Sequence, residues 1–335
     1  MQRIVTYSPS FTVVPTHECF NRCTYCNFRA ERGASWLSRS EAHRLLEPLV
    51  GSGVIEVLIL SGEVHPRDPR RAAWFAMIVD ICEVALSLGF LPHTNCGPLS
   101  LPELKALQTV TCSMGLMVEI LSDRLSESVH RHAPSKAPEL RVEQLAWAGE
   151  LGIPFTTGVL LGIGETELER ETTLETIARL QYRYGHIQEV ILQPYRPGRY
   201  ETRCTDGLSE GELLEVTCQA RQILPPEVTL QIPPNLVRGL SPFLMAGAHD
   251  LGGIGPVDVV NPDYPHPVPE GLQEQLAKAG WELRRRLPVY PHLYHRVPPS
   301  MHALLSNHLS ETDLPIENFL KLHQVDQAVL KQDHR

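Results

Sequence analysis

The chain has no apolar run approaching the roughly 18 residues of a membrane span, so nothing in it reads as a transmembrane helix. Its first residues, Met1-Gln2-Arg3-Ile4-Val5-Thr6-Tyr7-Ser8, lack the apolar core of about 7–15 residues that a secretory signal requires. There is no basic run, and the formal net charge is -9, which argues against a nucleic-acid partner. Internal repeats and low-complexity tracts are also missing. With 42% hydrophobic residues, an ordinary globular protein is expected. Paired cysteines are lacking as well: Cys82, Cys96, Cys112, Cys204 and Cys218 are scattered without a pattern. In a large chain without a secretion signal that fits a reducing, cytoplasmic setting and no disulfide framework.

The other three cysteines stand together. His17-Glu18-Cys19-Phe20-Asn21-Arg22-Cys23-Thr24-Tyr25-Cys26-Asn27-Phe28 carries the spacing C-x3-C-x2-C, with an aromatic before the last cysteine. Three thiolates on one tight loop can ligate several irons of a 4Fe–4S cluster, which usually takes four cysteines. With three, one iron stays open to a small molecule. A structural zinc site would want four Cys/His ligands, typically as two separated pairs. No second pair follows, although His17 is near enough to be a fourth ligand.

The rest of the chain alternates strand and helix patterns. Strands are expected at Phe11–Pro15, Val54–Leu60, Phe90–Asn95, Cys112–Ile120, Phe155–Leu161, His186–Leu192 and Glu227–Ile232. Val54–Leu60 is almost continuously aliphatic, the pattern of a strand buried on both faces. Between them, helical periodicity over 72–88 and 139–151 stops at Gly89 and Gly152, and 102–107 reads as a short helix. Capping boxes open three more helices at Ser38/Glu41, Thr166/Glu169 and Ser209/Glu212. Six or seven consecutive βα units imply a parallel sheet with right-handed crossovers. The expected fold class is α/β, a TIM-like (β/α) barrel, partial or complete, over residues 1–240. Residues 241–335 are rich in Pro and Gly and are expected to form a C-terminal extension that wraps or closes it.

In such barrels the chemistry lies where strands end. The cysteine loop follows the first strand. Ser61-Gly62-Glu63 follows the second, a glycine turn with a carboxylate able to hold an ammonium group. Thr94-Asn95-Cys96-Gly97 follows the third, and Glu119 closes the fourth, either as a ligand for ribose hydroxyls or as a solvated strand end. Gly158-Val159-Leu160-Leu161-Gly162-Ile163-Gly164-Glu165-Thr166 follows the fifth; it lacks the spacing and later acidic partner of a dinucleotide fingerprint. Gln193-Pro194-Tyr195 follows the sixth. The loop His130–Lys136 reads equally as an anion or hydroxyl site or as a surface turn. A lone histidine such as His93 reads more simply as a structural residue.

The cysteine spacing with its aromatic resembles the radical S-adenosylmethionine (SAM) enzymes. Long stretches also resemble one family within them, the deazaflavin synthases of the CofG type. These stretches are Cys19–Phe28, Ser113–Glu119, Ala133–Lys136, Ile153–Arg170, Tyr184–Gln193, Gln231–Leu236 and Asp250–Pro262. The resemblance implies a cluster on Cys19, Cys23 and Cys26 with SAM on the open iron. It places Ser61, Gly62, Glu63, Asn95, Glu119, Gly162 and Gln193 against SAM. Its substrate would be the adduct of a tyrosine-derived hydroxybenzyl group with 5-amino-6-ribitylaminouracil, cyclised with loss of ammonia to a deazariboflavin. The resemblance also implies a CofH-like partner enzyme that makes the adduct, and an electron donor such as ferredoxin or flavodoxin. Another radical SAM enzyme, of the CofH or menaquinone-pathway type, is the alternative; a zinc-holding barrel without catalysis is the alternative from a different class. Tyr195, His186 and His249 are candidates for a catalytic base. Two departures touch the substrate region: Gln193-Pro194-Tyr195 stands where Gln-Asn-Phe is expected, and Gly255 stands where serine is usual.

Overall fold

A computed structural model describes residues 3–199 and 207–309. Cys204, and the part of the expected extension beyond 309, lie outside the described residues. The elements run β1 (Arg3–Val13), α1 (Arg39–Leu46), β2 (Glu56–Leu60), α2 (Arg71–Ser87), β3 (Leu91–Asn95) and α3 (Leu101–Leu107). Next come β4 (Ser113–Gly115), α4 (Asp123–Ser126), α5 (Pro138–Glu150), β5 (Phe155–Leu161), α6 (Glu167–Tyr184) and β6 (Ile187–Pro194). The chain continues through α7 (Glu210–Ile223), β7 (Thr229–Gln231), α8 (Ser241–Met245), β8 (Ala248–Ile254), α9 (Pro269–Lys278), β9 (Trp281–Arg285) and α10 (His302–Leu309).

Strands β1 to β8 pair in sequence order, all parallel, and β1 pairs with both β8 and β2, so the barrel is complete. Each capping box expected from sequence is formed: Ser38, Thr166 and Ser209 accept the third helical N–H while Glu41, Glu169 and Glu212 reach back. One core fills the space between helices and sheet, with Trp74, Phe155 and Phe243 among its largest fully buried members.

Several boundaries differ from the sequence reading. Strand β1 begins at Arg3, because Thr6, Ser8 and Ser10 alternate inward while the aliphatic signal starts only at Phe11. The ladder of β4 stops at Gly115, but Leu116 N and Val118 N still donate to Thr156 O and Gly158 O at 3.0 Å, which carries the chain to Glu119. Strand β8 lies beyond residue 240, so the barrel runs on to Ile254. Its sequence, Ala-His-Asp-Leu-Gly-Gly-Ile, lacks an aliphatic run and breaks register against its neighbours.

The wall has one further strand. Residues Arg3–Tyr7 of β1 pair with β9, whereas Ser10–Val13 pair with β2, so β9 occupies the edge that β2 leaves free. Past β9, the chain crosses under the barrel. Pro288 O accepts from Ser113 Oγ at 2.8 Å and from Gln188 Nε2 at 3.0 Å. Leu287, Val289, Leu293, Val297, Met301 and Leu305 then form a second core against Ile55, Leu91 and Cys112 at the strand starts. The amino-terminal end of the barrel is thereby sealed, leaving the carboxyl-terminal end for the site.

Candidate active site

The cysteine loop is tied down mainly through its backbone. Cys19 N donates to Ala30 O at 3.2 Å, Phe20 N to Glu63 O at 3.0 Å, Arg22 N to His132 O at 2.7 Å and Thr24 N to Val129 O at 3.1 Å. Buried Glu18 braces it from behind, accepting from both terminal nitrogens of Arg70 and from Gly33 N. Gly62 explains its own identity: a Cβ there would lie 2.2 Å from Glu18 O, so only glycine lets the second strand end pass under the loop.

Cys19, Cys23 and Cys26 are free, half-buried thiols lining one cavity of about 360 Å³. Burial raises the pKa of Cys19 and pushes Cys23 up to about 12, against the pull of Lys136. Binding iron as thiolates therefore releases protons. Three thiols facing one open cavity fit a cubane cluster that keeps an iron for a ligand. His17 does not complete a zinc set: its ring contacts Phe28 O at 2.9 Å and leans at a tilt against the Phe28 ring, outside the cavity wall. Among the described residues, no three His, Cys, Asp or Glu side chains gather as they would around a single ion.

Ser61, Gly62, Glu63, Asn95, Glu119, Gln193 and Tyr195 all line the same cavity. The Ser61 hydroxyl is engaged within its turn, donating to Gly62 O at 2.8 Å and accepting from Trp74 Nε1 at 3.0 Å. Glu119 is the one non-glycine residue with positive φ among the described residues, at +60°. Such a backbone costs on the order of 1 kcal/mol and persists where the surroundings fix it. Here Lys136 Nζ donates to the Glu119 carboxylate. Burial would raise its pKa, but Lys136 and Arg141 outweigh burial and hold it below the usual value. Lys136 thus brings the loop 130–136 to the cavity, and His130 Nε2 lies 3.0 Å from the hydroxyl of half-buried Tyr25.

Three expected positions lie elsewhere. Gly162 is outside the cavity wall, where Leu160 stands; at φ +91° it forms the turn against Gly207 and Leu208. His186 sits fully buried just before β6, at the sealed end, between Phe155 and Tyr184. Burial, helped by Arg296, pushes its pKa down to about 3, so it is no base for the cavity. His249 lies at the start of β8 against Trp281, its Nδ1 2.8 Å from Ala248 O. Both histidines begin a strand, and the site is built where strands end. Of the three candidate bases only Tyr195 faces the cavity.

What the sequence did not announce is the floor. Glu56, His93, Thr156, Glu189, Gln231 and Arg286 project inward from different elements onto the bottom of the cavity. Arg286 donates to Asp250 at 2.6 and 2.7 Å and to Glu189 at 2.9 Å, and Tyr290 OH donates to Glu189 at 2.9 Å. The network binds β6, β8 and the segment beneath the barrel into one unit. Periodicity could flag Glu56 and Glu189 as charges inside apolar strands, but Arg286 carried no signal at all.

Comparison with known proteins now bears on this geometry. The model of the radical SAM superfamily matches residues 13–177. A 7,8-didemethyl-8-hydroxy-5-deazariboflavin synthase of Gloeobacter violaceus is 67% identical over 92% of this chain and 96% of its own length. The chain belongs to the deazariboflavin synthases of the radical SAM superfamily. The synthase of Synechococcus elongatus is 56% identical over 88% of this chain and 89% of its own. Among solved structures, the hydrogenase maturase HydG of Carboxydothermus hydrogenoformans superposes with a TM-score of 0.71 at 19% identity, covering 98% of this chain and 82% of that one. At that identity the likeness speaks for the fold alone. Members of the superfamily use a 4Fe–4S cluster and SAM, and in this chain three free thiols line the cavity.

Proposed function

We propose that this chain cyclises the ribitylated, tyrosine-derived uracil adduct to 7,8-didemethyl-8-hydroxy-5-deazariboflavin with release of ammonia. The observation that carries the reading is the single cavity on which three thiols, the carboxyl-terminal strand ends and a polar floor all open. Relatives that bear the synthase name match over nearly the whole chain, including the strands that build that cavity. Bound to Cys19, Cys23 and Cys26, a 4Fe–4S cluster would supply the electron that splits SAM into methionine and a 5′-deoxyadenosyl radical.

The protein's own part is positioning and exclusion of water. Glu63 carries its carboxylate beside the loop, suited to the ammonium group of SAM, with Arg141 Nη2 3.5 Å away. Glu119 is held ionised by Lys136 at the rim, suited to ribose hydroxyls. Leu58, Leu116 and Ile191 form an apolar belt below, shielding a radical from water. Tyr195 closes the side of the mouth and is the remaining candidate for proton transfer.

The seven described cysteines are all free, in keeping with a reducing cytoplasm, and no described helix is long and apolar enough to cross a membrane. A CofH-like enzyme would deliver the adduct, and a ferredoxin or flavodoxin would deliver electrons. Anaerobically reconstituted protein, given SAM, a reductant and the adduct, should form a fluorescent deazaflavin. Formation of 5′-deoxyadenosine only with free tyrosine and the ribitylaminouracil would assign it to the CofH reaction, and a colourless, iron-free protein would overturn the reading.

A further inference from the structure

The cavity is divided by height. On β6, Glu189, Ile191 and Gln193 point inward in succession, so floor and rim are separated by roughly 13 Å of strand rise. The rim carries thiols and charges, and the belt is apolar. The floor returns to polar groups although it is far from solvent: Glu56, His93, Glu189 and Gln231 are each between 3% and 9% exposed. Asp250, by contrast, is completely covered and serves Arg286.

The hydrogen-bond directions on this floor can be worked out. Ser113 Oγ donates its one proton to Pro288 O at 2.8 Å, so it must accept from His93 Nδ1, 2.7 Å away. His93 is therefore protonated on Nδ1 and turns a bare Nε2 acceptor into the cavity. Burial keeps the ring neutral, with its pKa pushed down to about 3. Glu56, Glu189 and Asp250 share the one guanidinium of Arg286. Arg286 makes its two-pronged contact with Asp250, so Glu189 retains a proton more readily. That proton is held in a hydrogen bond with Asp250, and the Glu189 oxygens accept from Arg286, Tyr290 and Thr156. Glu189 therefore braces the floor and leaves His93, Glu56 and Gln231 to face a ligand. Gln231 adds an amide, with one donor group and one acceptor.

We infer that this floor, His93, Glu56 and Gln231 braced by Glu189 and Arg286, is the subsite for a polyhydroxylated chain. Mixed donors and acceptors at one depth match a run of hydroxyl groups, each of which donates once and accepts twice. A hydroxyphenyl ring, with a single polar group, would leave most of those groups unpaired, at a cost of about 1–3 kcal/mol each. The inference rests on the proposed function, whose product carries a ribityl chain, and it orients the substrate. The polyol goes down to the floor, and the ring system is held in the apolar belt below the cysteine loop.

The test crosses two variants with two ligands. Gln231→Leu and Glu56→Leu are compared with the wild type for the ribitylated adduct and for an analogue with a methyl group in place of the ribityl chain. Equilibrium binding to the cofactor-free protein is measured alongside KM and kcat of the reconstituted enzyme. Each variant should weaken binding of the ribitylated ligand about tenfold, as for one or two lost hydrogen bonds, and raise its KM in step. The analogue should change less than about twofold. Equal losses for both ligands, or none for either, would overturn the subsite while leaving the proposed function standing. A wild type that neither binds nor converts the ribitylated adduct would overturn the function and the subsite together.

Discussion

The two ends of the cavity are built on opposite plans. At the mouth, the three thiols are close neighbours in the chain and half-buried, set where a cofactor would complete them. At the floor, the polar groups are spread from Glu56 to Arg286, are nearly covered, and are braced through one guanidinium while still opening on the cavity. The mouth is held by backbone hydrogen bonds from loops, the floor by a guanidinium between carboxyls. A site that recruits its own metal can tolerate an incomplete apo state. A site buried under the barrel cannot, because an unpaired charge there has no water to turn to.

The sharpest way to separate the two ends is to remove one group from each. Cys23→Ala should abolish the cluster's absorbance near 400 nm and all SAM cleavage, yet leave the melting temperature of the apo protein nearly unchanged. Retained turnover in that variant would contradict the ligand assignment. Arg286→Met should do the reverse. Stranding Asp250 and Glu189 without their cation should cost about 3–5 kcal/mol of stability, read from urea unfolding. The molecules that remain folded should still take up iron.

This contrast also governs what could be read from sequence. The mouth was legible because its motif is local: C-x3-C-x2-C and Ser61-Gly62-Glu63 declare themselves within a few residues. The barrel was legible because buried parallel strands are continuous aliphatic runs bounded by capped helices. Strand β8 escaped because two glycines and a histidine dilute it, and β9 because Trp281–Arg285 reads as charged surface. The floor was illegible for a topological reason. Each strand contributes about one residue, and only barrel closure brings Glu56, Glu189 and Asp250 to one arginine. His186 and His249 misled for the same reason. A histidine near a strand is visible in sequence, but which end of the barrel it occupies is not.

The floor should also show itself in pH dependence. Burial, with the neighbouring Asp250 carboxyl, raises the pKa of Glu189 to about 8, even against Arg286. Between its unfolded value near 4.3 and about 8, the native state holds a proton that the unfolded chain has released. Stability therefore falls as pH rises through that window. Arg286, Asp250, Tyr290 and Thr156 contact Glu189, and Glu56 lies near the same guanidinium, so the slope belongs to the group as a whole. Glu189→Gln, which cannot ionise, should flatten the decline between pH 5 and 8 in denaturant titrations. An unchanged slope would mean that Glu189 is already ionised in the folded protein.

The smallest effect calibrates the rest. Thr166→Ala removes the hydroxyl that caps α6, where Thr166 accepts from Glu169 N, and should cost about 1 kcal/mol. Glu169 keeps its bonds to Ser122 and Arg124, so the helix start stays anchored to α4. Neither end of the cavity depends on that hydroxyl. The variant should melt slightly earlier, while its iron content and its affinity for the ribitylated ligand stay at wild-type levels. If so small a loss of stability also weakened the ligand, then a drop in affinity after a floor substitution would report general loosening of the barrel. The contrast between a cofactor-dependent mouth and a guanidinium-braced floor would then need a different explanation.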